Sequence, residues 1–115
     1  PASASALGII GAALDAAAVR FEENREFAGP RHRIITSSPE LRERELIKAE
    51  SLAAGLAAAL RARGFGDTAA SLVAYTGITV MHVAFEEWVD ATNQTPFREI
   101  ARDALAQLRE IASSG

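Results

Sequence analysis

The chain has 115 residues, 49% of them hydrophobic, no cysteine, and twelve basic against fifteen acidic residues for a net charge of −3. That length fits one domain, able to bury roughly 60–70% of the surface its unfolded form would expose. The composition excludes disulfides and thiolate metal sites, and it argues against a phosphate-gripping face, which needs concentrated positive charge.

Alanine is abundant, prolines number four, aromatics are 6%, and period-two runs of β-branched residues are absent. The expected fold is therefore all-α, a single-domain bundle of about five helices. Residues 1–6 are expected to be a flexible N-terminal remnant and residues 7–112 the helical domain. The opening PASASALGIIGAAL has no basic start and no long apolar run, so it is not expected to be a signal peptide.

A first helix is predicted from near Ser5 to about Asn24, because Leu7, Ile10, Leu14, Ala17 and Phe21 step by three or four into one ridge. A second, shorter helical piece covers Arg25 to Thr36, with a kink or break expected at Gly29-Pro30. Ser37, Ser38, Pro39 and Glu40 then supply a helix start, with cap candidates and a first-turn proline. The third helix should run to about Arg63 on a ridge of Leu46, Ala49, Ala53, Leu56 and Leu60. Gly64-Phe65-Gly66 ends it, and Asp67 is expected to cap the fourth helix, Thr68 to about Ala91. A polar loop, Thr92-Asn93-Gln94, leads to Thr95-Pro96 and a last helix reaching about Ala112. The stripe of that helix is Phe97, Ala101, Ala104, Leu108 and Ile111, widened by Ile100 and Leu105.

The fourth helix is apolar almost all the way round. From Thr68 to Phe85 it carries no formal charge, nearly a membrane span. Polar Ser71, Tyr75, Thr76, Thr79 and His82 and acidic flanks favour a buried helix of a soluble protein, with no membrane partner. At about 100° per residue, Tyr75, Thr79, His82 and Glu86 share a narrow wedge. Ala70, Val73, Gly77, Val80, Ala84 and Trp88 lie opposite. Glycine inside a helix costs about 1 kcal/mol relative to alanine, so Gly77 predicts a close backbone approach.

Two partners for these faces are therefore expected. The glycine-bearing face is assigned to a homodimer contact, in which the last two helices of each copy form a four-helix interface of Val73, Gly77, Ala84, Trp88, Phe97, Ala101, Ala104, Leu108 and Ile111. The alternative is a monomer that buries both faces itself. The wedge of Tyr75, Thr79, His82 and Glu86, with Phe21 from the first helix, is assigned to a cavity for a small hydrophobic molecule. The structural alternative makes Tyr75 an edge residue, bonds Thr79 to its own helix and pairs His82 with Glu86.

Catalytic chemistry is not apparent. No glutamate has a histidine three residues on, and no Gly-rich phosphate loop or nucleophile elbow occurs. No enzyme activity, cofactor or metal is expected, His32 is expected to face solvent, and the Arg42–Lys48 charge run is expected to be a solvated face.

The segments RFEENREFAGPRHRIITSSPELRERELIKAESLAAGLAAALRARGFGD and VAFEEWVDATNQTPFREIARDALAQLREI resemble the C-terminal domain of TetR-family transcriptional regulators, actinobacterial forms especially. The SSPELRERE start and the FEEW-loop-PFREIARDAL ending carry most of the resemblance. It implies a cytoplasmic, homodimeric, effector-sensing domain attached to an N-terminal helix-turn-helix unit. That unit is not in this sequence, so DNA is expected as a partner only through it. The rival expectation is a helical homodimeric or partner-binding module without a small-molecule ligand.

Overall fold

In the computed structural model, which describes residues 5–90 and 94–114, one helix touches all the others. It is α4 (Asp67–Asp90), against which pack α1 (Ala6–Glu23), α2 (Arg25–Ser37), α3 (Pro39–Ala62) and α5 (Phe97–Ser114). The described residues contain no strand, and the fold is an all-α bundle of five helices. Residues 1–4 of the expected N-terminal remnant, and residues 92 and 93 of the expected polar loop, lie outside the described residues.

Local chemistry sets the boundaries. The Ser5 hydroxyl accepts the Gly8 N–H at 3.0 Å and caps α1. Ser38 does the same for α3 through Leu41, followed by Pro39 in the first turn, where its missing N–H costs nothing. Gly64 closes α3 with φ of 103°, a left-handed conformation open to glycine. Asp67, expected as a cap, is instead the first helical residue of α4.

The expected break at Gly29-Pro30 does not occur, since α2 runs unbroken through Pro30. The ring removes one backbone donor, but Pro30 is exposed, so water can solvate the carbonyl one turn earlier.

The core has two parts. Ile10, Leu14 and Ala18 of α1 meet Val80, Ala84 and Trp88 of α4 and Phe97, Ile100, Ala101 and Leu105 of α5. A smaller cluster of Ala57, Leu60, Ala70 and Ala74 joins α3 to the start of α4. Alanine at the crossing points lets helix axes come close, which is why so alanine-rich a sequence can pack five helices. Leu46 departs from its expected place on the α3 ridge and is 72% exposed, because the buried line runs through Ala53, Ala57 and Leu60. His32, expected in solvent, is half-buried and sits edge-on to Phe85 at 5.6 Å.

Candidate functional site

Neither face of α4 sits where the sequence suggested. Ala84, Trp88, Phe97 and Ala101, expected between two copies, are buried in the chain's own core. A Cβ placed on Gly77 would lie 3.5 Å from Ile10 and 4.0 Å from Leu56, so the close approach at this glycine is made by α1 and α3 of the same chain. Val73 is half-buried beside both core clusters. These residues cannot form a contact between copies without opening the fold. Of the expected interface only Ala104 and Leu108, half-buried, and Ile111, 68% exposed, remain accessible on α5.

The wedge expected to line a cavity points outward instead. Tyr75 is exposed and its hydroxyl donates to Glu50 of α3, a bond that holds the phenol above its ordinary pKa by favouring the protonated form. The Thr79 hydroxyl donates to the Tyr75 carbonyl at 2.9 Å. His82 and Glu86 pair at 2.6 Å on the surface. Phe21 is far round the helix from this group: its ring packs at 4.8 Å on Phe97, 5.1 Å on Phe85 and 6.1 Å on Trp88. Phe21 therefore belongs to the core and not to a shared pocket with Tyr75.

Periodicity alone could not choose between the faces, because both carry large apolar groups. Burial chose the one with Trp88 and with alanines small enough for α1 and α5 to close on it. The outward face keeps Leu72 and Val83, 63% and 56% exposed, which the sequence analysis did not single out. Their signal was their spacing of eleven residues, three helical turns, which puts two large apolar groups on the same side of the helix as Tyr75 and Thr79.

The Trp88–Phe97 ring contact at 5.8 Å joins the end of α4 to the start of α5, and the two helices pack on each other. The outer side of α4 carries Leu72, Thr79 and Val83, all exposed, up to the His82–Glu86 pair. On α5, Ala104 and Leu108 are half-buried against the core, and Ile111 is exposed.

A second feature is an open cleft of about 460 Å³ between α1 and α3, lined by Ile9, Ala12, Ala13, Leu56 and Ala59 and bounded by Arg63. Nothing in the spacing along one helix announces it, because its walls come from two helices that are brought together by packing on α4. Among the described residues no three His, Asp or Glu side chains gather as a metal site. Among the described residues, the Trp88 Nε1–H is buried without an acceptor. The Arg25 guanidinium stacks 5.3 Å above the same ring.

Comparison with protein-family models, with curated proteins and with solved structures finds no match to this chain.

Proposed function

We propose that this chain is the dimerising, effector-responsive domain of a TetR-like transcriptional regulator, and that two copies meet through the outer side of α4 and α5. The observation that carries this reading is the uncharged strip of Leu72, Thr79 and Val83 on α4, left uncovered by the chain's own helices, together with Ile111, exposed on α5. Large apolar side chains gathered on one side of a small domain are typical of a surface that another protein covers. Burying each would contribute roughly 1.5–3 kcal/mol. The contact thus uses the last two helices, as the sequence resemblance implies, but on the opposite face of α4 from the one expected.

In such a dimer, the spacing of two attached DNA-reading units follows from how the subunits are held. A small molecule acts by binding one arrangement better than the other, and its effect is limited to that difference in affinity.

The chain has no native cysteine, so a single introduced thiol reports on one place. Under mild oxidation, Thr79→Cys or Val83→Cys is expected to give disulfide-linked dimers, whereas Ala84→Cys, buried in the core, is not. Linked dimers from neither surface position, at protein concentrations of tens of micromolar, would remove the basis of this reading.

A partner-binding module without a ligand is the second reading. It is favoured by the exposed Phe27 and Ile34 of α2 and Leu46 and Ile47 of α3, which lie away from the α4–α5 surface. A thermal-shift screen with small hydrophobic compounds separates the two, since a ligand raises stability by mass action and a solid module shows no response.

A further inference from the structure

The cleft between α1 and α3 has the size of a small-molecule site, at about 460 Å³ against the roughly 300–1,000 Å³ usual for such sites. Its walls are Ile9, Ala12 and Ala13 on one side and Leu56 and Ala59 on the other, and no acidic side chain lines it. The alanine side chains are too small to fill the space between the two walls, and α4 lies beneath, where Ile10 and Leu56 approach Gly77.

Positive charge is concentrated at one end. Arg63, the residue that follows the last turn of α3, lines the cleft and forms no ion pair among the described residues. The first turn of α1 reaches the same end through Gly8 and contains no acidic residue. A helix start carries about half a positive charge, but the Gly8 N–H is already donated to the Ser5 hydroxyl, so this end adds a positive field and no free donor. The final carbonyls of α3 oppose an anion at this end, which makes Arg63 the group that decides its sign.

We infer that this cleft binds an amphipathic anion, a molecule with a hydrocarbon body lying along Ala12, Ala13 and Ala59 and a single carboxylate at Arg63. The site names the chemical class of the effector in the reading above, and rests on that reading only for its consequence. Because α1 begins at the charged end, a carboxylate held there would fix the direction in which a preceding unit leaves the domain.

The test is a titration of the full chain, with alanine methyls labelled for NMR, against decanoate below its micelle concentration and against the uncharged decanol. Decanoate is expected to shift the Ala12, Ala13 and Ala59 methyls. Arg63→Gln is expected to weaken it at least tenfold and to abolish its preference over decanol. Ala13→Phe, which fills the exposed cleft, is expected to prevent binding while leaving the melting temperature near that of the wild type. Equal affinity for decanol, shifts confined to other methyls, or binding untouched by both variants would overturn the inference. So would sedimentation with dioleoylphosphatidylglycerol vesicles in the absence of decanoate binding, which would make the cleft part of a membrane-facing surface. Decanoate binding that leaves the dimer affinity unchanged supports the site and counts against the regulator reading alone.

Discussion

The Glu22 carboxylate of α1 accepts the backbone N–H of Phe97, the first residue of α5, at 2.6 Å across 75 positions of sequence. Its other oxygen holds the Arg25 guanidinium at 3.0 Å, and Arg25 also donates to the Thr95 carbonyl at 3.2 Å. An acid on one helix thus supplies the cap of another, where orphan amides and the positive helix end both favour a carboxylate. This joins α1 to the start of α5, the helix that carries the edge of the proposed dimer surface.

Glu22→Ala removes that acceptor and leaves the Phe97 amide to water. Loss of an N-cap costs about 0.5–2 kcal/mol, and the expected loss here is about 1 kcal/mol, read as a lower urea midpoint with an unchanged slope. An unmoved midpoint would mean that the cap contributes nothing in solution.

Gly77 separates the observed packing from the one the sequence suggested. A methyl group at this position would meet Ile10 at an ordinary 3.5 Å, so Gly77→Ala should stabilise the fold by about 0.5–1 kcal/mol through helix propensity. Gly77→Leu should destabilise the monomer by about 1–3 kcal/mol through overpacking against Ile10 and Leu56. Chemical denaturation of both variants checks this, and a leucine variant as stable as the wild type would argue that the glycine face is not covered.

Tyr75 is the single tyrosine of the chain, so its ionisation can be followed by absorbance alone. Its bond to Glu50 raises the phenol above its ordinary value of 10.0. A folded-state pKa raised in this way contributes stability that is present below pH 10 and is lost as pH rises through the folded value. Glu50→Gln, which removes the negative acceptor, should lower the titration midpoint towards that of free tyrosine. Identical midpoints in the two proteins would rule out the bond as a solution feature.

Asp15 on α1 binds Arg102 at 3.1 Å and Arg98 at 3.4 Å on α5. The hydrogen bond from Arg102 is the main cause that lowers the carboxyl below the ordinary aspartate range. Depression of an acid contributes stability above its unfolded pKa, lost as pH falls through the folded one. The advantage of the wild type over Asp15→Asn in thermal melting should therefore be present at neutral pH and fade below about pH 4. The pair is on the surface, so 0.5 M salt should also reduce it. A difference independent of both pH and salt would point to another cause.

Much of the bundle was legible in the sequence. Ser38-Pro39 and Gly64 carry their boundaries in local chemistry, and the ridge of Ile10 and Leu14 carries its inward face in spacing, whereas the stripe of Phe97 and Ala101 was legible as apolar but assigned to a second copy instead of the chain's own core. Pro30 misled because its position on an exposed helix made a missing hydrogen bond tolerable. The candidate site was less legible. On α4 both faces satisfy the apolar period, and Gly77 announces a close neighbour without saying whether that neighbour belongs to the same chain. The cleft at Arg63 was invisible because residues from α1 and α3, some fifty positions apart, meet only through the helix beneath them. Spacing within one helix records its own faces but not the order in which several helices close on them.

Sedimentation equilibrium of the wild type against the double variant Leu72→Glu/Val83→Glu is the most direct test of the proposed contact. Both positions are exposed, so the variant should fold with the same helicity. The wild type is expected to sediment as a dimer of twice 12.2 kDa at micromolar concentration and the variant as a monomer. A monomeric wild type, or a variant that dimerises as tightly, would contradict the account.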